Sequence, residues 1–161
     1  MSIFDSQFVN SIAAENEARA KAAEQARIAS EAAARARAQA ENELKRVIDQ
    51  ALREFPAAAE QIGVKPLRVS YIGGGPLFLT HHAKVWPVSI WYCIDKAGNA
   101  YMMEHRGGSE EWIRKAKTDG GFVKKVERQE AIDYIAAQAQ ANMKGSLEET
   151  ARFMLSSYLR I

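Results

Sequence analysis

The chain has 161 residues, of which 47% are hydrophobic and 26% are charged, and this ordinary globular composition argues against disorder throughout. A net charge of +2 gives no strong attraction to nucleic acid or to an anionic membrane. The single cysteine excludes an internal disulfide, and no stretch is apolar enough to span a bilayer. The start lacks the basic and apolar regions of a signal peptide, so we expect a cytoplasmic protein that does not contact a membrane.

Residues 1–55 are predicted to form one long helix. Neither Gly nor Pro occurs in this segment, and alanine, the best helix former, fills 10 of the 19 positions from 22 to 40. Ser2 and Asp5 have the spacing of a capping box. Five acid–base pairs have the order that stabilises an exposed helix: Glu15–Arg19, Glu17–Lys21, Glu31–Arg35, Glu41–Lys45 and Asp49–Arg53.

Pro56 is expected to end or kink this helix at Phe55, because proline lacks a backbone N–H and its ring clashes with the preceding turn. It can also begin a short helix that Gly63 closes. We therefore predict a hinge at residues 56–66, between the helix and a C-terminal domain at residues 67–161.

The length of the helix predicts a contact with another molecule. Residues 13–54 would form a rod of about 60 Å, whereas a globule of about 100 residues has a radius of gyration near 13 Å. The helix therefore pairs with a partner, folds back or remains a solvated arm, and we favour pairing. Alanine buries little area, which weakens a seam made of alanine alone. The residues predicted to mediate self-association are apolar or small: Phe4, Phe8, Ile12, Ala22, Ala26, Ala29, Ala33, Ala36, Ala40, Leu44 and Ile48.

Residues 67–161 are predicted to form a small two-layer α+β domain with three or four mainly antiparallel strands. Four segments have strand-like composition: 67–71, 88–94, 100–105 and 122–126. Asp95–Asn99 is expected to be a hairpin loop. A short helix is predicted over 110–117, and two amphipathic helices end the chain. Gly145 separates these two helices, and Ser146 with Glu149 predicts a capping box for the second.

A basic segment at residues 106–128 is the best candidate for partner binding. Its candidate contact residues are seven cations and one tryptophan: Arg106, Trp112, Arg114, Lys115, Lys117, Lys124, Lys125 and Arg128. Basic groups near aromatic rings, here also Phe122, can hold single-stranded nucleic acid through phosphate contacts and stacking. Acidic residues reduce the charge of the segment, and such a run is more often a solvated face.

Neither a catalytic nor a metal motif is evident. His81 and His82 are expected in a loop, where adjacent side chains point in opposite directions, and His105 near the end of the hairpin. None of them has the spacing of a zinc site. Cys93 lies in an apolar run, so we expect a buried residue and not a nucleophile. We predict no catalytic residue, no cofactor and no metal.

Three aromatic residues, Trp86, Trp91 and Tyr92, are expected in the core of the C-terminal domain. If the second face of the predicted sheet were uncovered, their exposure would instead mark a binding surface. The sequence alone does not choose between these two arrangements.

These observations favour a non-enzymatic protein-interaction module, oligomeric through its N-terminal helix, that binds or inhibits a larger macromolecular complex. Small accessory proteins of phages and mobile elements offer an analogy for such an inhibitor or adaptor. The first alternative is a nucleic-acid-binding regulator that uses the basic segment 106–128. The second is a small enzyme with a cleft formed by His81, His82, His105 or Cys93.

Overall fold

A computed structural model describes residues 2–106, 110–118 and 121–161, with the backbone alone for 110–112 and 118. A long N-terminal helix, a four-stranded antiparallel sheet and two C-terminal helices confirm the predicted α+β class. The elements in chain order are α1 (Ser6–Ile62), β1 (Val69–Ser70), β2 (Leu77–Val85), β3 (Val88–Asp95), β4 (Ala100–Arg106), α2 (Glu110–Thr118), β5 (Gly121–Phe122), β6 (Lys124–Val126), α3 (Arg128–Ala141) and α4 (Leu147–Ser156). The chain divides into two compact units, Met1–Asn42 and Glu43–Ile161.

The first unit consists mainly of the N-terminal part of α1. Asp5 caps this helix, since its Oδ1 accepts a hydrogen bond from the backbone N–H of Phe8 at 2.8 Å. The predicted capping residue Ser2 instead donates its hydroxyl to a nearby backbone carbonyl, so the cap lies three residues later than expected. All residues from 2 to 42 are exposed.

Ion pairs along this exposed helix follow the predicted spacing in part. Three of the predicted pairs form: Glu15–Arg19 at 3.9 Å, Glu17–Lys21 at 2.6 Å and, further along α1, Asp49–Arg53 at 3.1 Å. Glu31 pairs with Arg27 at 2.5 Å instead of with the predicted Arg35, and Arg27 also pairs with Glu24 at 2.6 Å. These exposed pairs support the helix locally.

The second unit begins with the last turns of α1, Glu43–Ile62. Seven residues of this segment are buried: Leu44, Val47, Ile48, Leu52, Phe55, Pro56 and Ala59. The prediction that the helix ends at Phe55 is wrong, since it continues through Pro56. A proline inside a helix costs one backbone hydrogen bond, and the burial of Pro56 with its apolar neighbours offsets this cost. The helix ends before Gly63, which has a φ of 89°, so most of the predicted 56–66 hinge is helical.

The main sheet has the order β2-β3-β4-β6, and all its neighbouring strands are antiparallel. β3 and β4 form the predicted hairpin. Asp95 holds its loop, since Oδ1 accepts hydrogen bonds from the backbone N–H groups of Ala97 and Asn99 at 2.9 and 2.8 Å. β2 pairs with the other side of β3, and a bulge at Thr80 shifts its register.

Both faces of the main sheet are covered. One face packs against α3, α4 and the second part of α1 through residues such as Phe78 and Ile94. The other face packs against α2 and against β1 and β5, which pair in parallel with Val69 opposite Gly121. A Cβ atom at Gly121 would lie only 3.1 Å from the Cβ of Ala116, so glycine permits the close approach of α2. The cover on this second face was not predicted from the sequence.

The C-terminal helices are held by a cap and by ion pairs. The predicted capping box of α4 forms, because Glu149 N–H donates to Ser146 Oγ and Ser146 N–H donates to Glu149 Oε2. At the start of α3, Arg128 Nε lies 2.8 Å from Asp49 Oδ1. This pair ties α3 to the second part of α1.

Candidate functional site

The eight residues predicted to bind a partner are distributed over four elements. Arg106 ends β4, Trp112, Arg114, Lys115 and Lys117 belong to α2, Lys124 and Lys125 to β6, and Arg128 begins α3. Arg128 is engaged within the chain, since it binds Asp49 and donates to the carbonyl oxygen of Gly98 at 3.0 Å. The side chain of Trp112 lies outside the described part of the structure. The other residues include two pairs that line different cavities.

The first cavity is a groove of about 650 Å³, which we call the Phe122 groove. Its lining residues are Ser70, Tyr71, Ile72, Tyr101, Phe122, Val123, Lys124 and Lys125. Phe122 is 73% exposed, and Ile72 is almost fully exposed. Within the described ranges, neither Lys124 nor Lys125 forms an ion pair. The groove therefore combines an accessible aromatic ring with two positive charges.

Two tyrosines line the wall of the Phe122 groove. Their rings meet edge to face, with centroids 4.8 Å apart. The hydroxyl of Tyr71 donates to the Gly75 carbonyl oxygen, and that of Tyr101 donates to Asp95 Oδ2 at 3.2 Å. Burial, followed by the Asp95 charge, raises the pKa of Tyr101 to about 12, and burial also raises the pKa of Tyr71. Both phenols therefore stay protonated at neutral pH and act as hydrogen-bond donors.

The second cavity has a volume of about 420 Å³, and we call it the Lys117 pocket. Its lining residues are Leu79, His82, Trp91, Ile113, Arg114, Lys117, Ser157 and Tyr158. The rings of His82 and Trp91 stack with centroids 4.6 Å apart and planes 8° apart. Sequence reasoning had selected Arg114 and Lys117 but had not joined them to His82, Ser157 or Tyr158. No local pattern links these residues, because they come from distant parts of the chain.

The adjacent histidines lie in β2, not in the predicted loop, and occupy opposite faces of the sheet. The bulge at Thr80 places His81 against Tyr92 on one face and His82 against Trp91 on the other. His81 is only 4% exposed. Burial, followed by the nearby charge of His82, lowers the pKa of His81 to about 4, so this imidazole is neutral at pH 7.

The four residues of the enzyme hypothesis do not converge on one cleft. Cys93 is buried in the core of the second unit, and burial raises the pKa of its thiol. His105 lies in β4 opposite Ser89, whereas His81 faces the other side of the sheet from His82. Among the described residues, no group of three or more His, Cys, Asp or Glu side chains is placed to hold a metal ion.

The residues predicted for self-association have two different surroundings. Nine of the eleven lie in the first unit and are exposed: Phe4, Phe8, Ile12, Ala22, Ala26, Ala29, Ala33, Ala36 and Ala40. Leu44 and Ile48 are exceptions that correct the prediction, because both are buried in the core of the second unit. Their side chains pack against other residues of that core, so they cannot also form an exposed seam.

Of the three aromatic residues expected in the core, Trp91 and Tyr92 are buried there. Trp86 is 94% exposed at the turn between β2 and β3, where a cis peptide bond joins it to Pro87. The sequence did not predict this exposure, since Trp86 adjoins the same apolar run.

Comparisons with known proteins give no relative: no family model, no curated protein and no solved structure matches the chain. Across the described ranges, none of the helices combines the length and apolar composition that a bilayer crossing requires. The function is therefore inferred from the surfaces of the chain itself.

Proposed function

We propose that this protein is a non-enzymatic, cytoplasmic interaction module that self-associates through α1 and binds or inhibits a larger macromolecular complex. The observation that carries the proposal is the exposed apolar start of the first unit. Phe8 and Ile12 are exposed, and the rings of Phe4 and Phe8 contact each other with centroids 5.7 Å apart. Adjacent exposed apolar side chains of this kind mark interaction surfaces.

The apolar start and the alanines of the first unit follow one heptad register. Positions alternately four and three residues apart form a single seam: Phe8, Ile12, Glu15, Arg19, Ala22, Ala26, Ala29, Ala33, Ala36 and Ala40. Large residues therefore supply one end of the seam and small residues the other. Alanine allows close approach of a second helix, while Phe8 and Ile12 supply the apolar area that alanine lacks.

The charges in the seam favour an antiparallel pair. In a parallel pair, Glu15 would meet Glu15 of the second copy, and Arg19 would meet Arg19. In an antiparallel pair centred near residue 24, Glu15 would instead lie opposite Ala33. The large residue Phe8 would lie opposite the small residue Ala40, which fills the space between the helices.

Mass in solution tests self-association. By light scattering, the full chain is expected to be a dimer or larger at about 100 µM, whereas the triple variant Phe4→Gln, Phe8→Gln, Ile12→Gln is expected to be a monomer. Ile28→Gln is the matched control, because it removes an exposed apolar residue outside the seam. A monomeric full chain would contradict the proposal.

Disulfide formation tests the antiparallel arrangement. Glu15→Cys and Ala33→Cys are prepared as separate proteins, and the native Cys93 is buried in both. Antiparallel pairing predicts a disulfide-linked dimer only when the two proteins are mixed. Parallel pairing predicts a linked dimer for each variant alone, and that result would show the arrangement to be wrong while self-association stands.

A nucleic-acid-binding regulator is the second candidate, and the Phe122 groove favours it. An exposed aromatic ring beside two lysines that lack ion-pair partners within the described ranges matches the chemistry of single-strand binding. Fluorescence anisotropy with labelled oligothymidine tests it. Two phosphate contacts predict that the logarithm of the binding constant falls with the logarithm of the salt concentration with a slope of about −1.4. The double variant Lys124→Gln, Lys125→Gln should remove this salt dependence. Absence of binding at low salt would exclude this candidate, and Lys65→Gln serves as the exposed control.

A further inference from the structure

Three parts of the second unit meet at the Lys117 pocket. His82 and Trp91 come from β2 and β3, Arg114 and Lys117 come from α2, and Ser157 follows α4. Arg114 and Lys117 are three residues apart on α2, and this spacing places both side chains on the same helix face, with Cβ atoms about 5–6 Å apart. The pocket is therefore formed by the tertiary structure and not by one surface helix.

The lining of the Lys117 pocket is cationic. It contains the cationic side chains of Arg114 and Lys117, and neither Asp nor Glu is among the described residues that line it. Lys117 forms no ion pair with a residue in the described ranges. The hydroxyls of Ser157 and Tyr158 add neutral donors, and burial raises the pKa of Tyr158, so its phenol stays protonated. Positive charge and hydroxyl donors in a concave site suit an oxyanion.

The rest of the lining is apolar or aromatic. Leu79 and Ile113 contribute aliphatic surface, and the stacked rings of His82 and Trp91 contribute aromatic surface. The volume of about 420 Å³ falls within the range of small-molecule sites, about 300–1,000 Å³. A ligand that fits this lining has an anionic group and a small apolar or planar body.

We propose that the Lys117 pocket binds a small organic oxyanion, a phosphomonoester or a carboxylate, whose oxygens contact Arg114 and Lys117. A cavity of about 420 Å³ suits one compact group. This proposal does not depend on self-association of α1.

Isothermal titration calorimetry of the full chain at constant ionic strength tests the proposal, with inorganic phosphate, phenyl phosphate and benzoate as probes. Saturable binding of at least one probe is expected, tightest where an aromatic body accompanies the anion. Lys117→Gln should weaken binding about tenfold or more, because a charged hydrogen bond is lost. Lys115→Gln is the matched control: Lys115 lies in the same last turn of α2 but does not line the pocket.

A second variant separates the pocket from general charge effects and from unfolding. Ser157→Val removes a hydroxyl that lines the pocket from outside α2, without changing the net charge, and it should also weaken phosphate binding. The proposal is overturned if no probe saturates, or if Lys115→Gln weakens binding as much as Lys117→Gln. Loss of oligothymidine binding in Lys117→Gln without binding of any small probe would assign the pocket to a polymer and would also overturn it.

Discussion

Ile28 and Ile48 are isoleucines of the same helix, one exposed and the other buried, and this contrast gives a quantitative prediction. Ile48 is 0% exposed in the core of the second unit, whereas Ile28 is 54% exposed in the first. Ile48→Ala removes three carbons, worth about 2.4 kcal/mol of transfer free energy. A residual cavity of about 75 Å³ would add up to about 1.8 kcal/mol, and the helix propensity of alanine returns about 0.4 kcal/mol. We expect Ile48→Ala to lower the free energy of unfolding by about 3–4 kcal/mol, and Ile28→Ala to change it by under about 0.5 kcal/mol.

The assay is urea unfolding followed by tryptophan fluorescence. All three tryptophans lie in the second unit, so melting of residues 2–42 does not contribute to the signal. With a slope of about 2 kcal/mol per molar urea, the midpoint for Ile48→Ala should fall by about 1.5–2 M. An equal shift for Ile28→Ala would refute the reasoning, since it would show that the exposed half of α1 supports the core. A shift below about 0.5 M for Ile48→Ala would show that its burial is unimportant.

Three further substitutions test the interior of the second unit by the same urea assay. The pKa of His81 in the folded chain, about 4, lies below its ordinary value of 6.5, so the contribution of His81 to stability should be complete above pH 6.5 and should fall toward pH 4. His81→Phe should flatten the dependence of the free energy of unfolding on pH between 4 and 6.5. The same pH dependence in the variant and the native chain would contradict this prediction. Burial opposes the ionisation of Asp95, but hydrogen bonds from Asn99 and other loop donors outweigh burial and lower the pKa of this carboxyl. Asp95→Asn should lower the free energy of unfolding by about 1–3 kcal/mol at pH 7. The variant should also lack the loss of stability that the native chain shows as the pH falls through the folded pKa of Asp95. Tyr92→Phe, which removes the 3.1 Å hydrogen bond to Glu130, should cost about 0.5–1.5 kcal/mol, and no cost at all would show that this bond is replaced by water.

Features with local causes could be predicted from the sequence. The alanine-rich composition predicted α1, and Ser146 with Glu149 predicted the cap of α4, because a helix and its cap depend on residues a few positions apart. The loop that Asp95 holds belongs to the same class. Self-association remains a prediction, and it rests on a register that is also readable from the sequence.

Features that depend on residues distant in the chain could not be predicted from the sequence. Pro56 is a helix breaker by local rules, and only the core around it keeps it helical. Alternation places the two adjacent histidines on opposite faces of the sheet, but the bulge at Thr80 decides which histidine lies on which face, because it shifts the register of β2. The layer over the second sheet face likewise depends on Val69 meeting Gly121.

By itself, the sequence determined that α1, α3 and α4 are helices and that Asp95–Asn99 is a turn, because local backbone preferences and hydrogen bonds act over a few residues. The tertiary structure alone decided which side chains share a cavity, because burial brings together residues that the chain separates. Lys117 and Ser157 are the clearest case: each is an ordinary polar residue in its own segment, and only folding places them around one pocket.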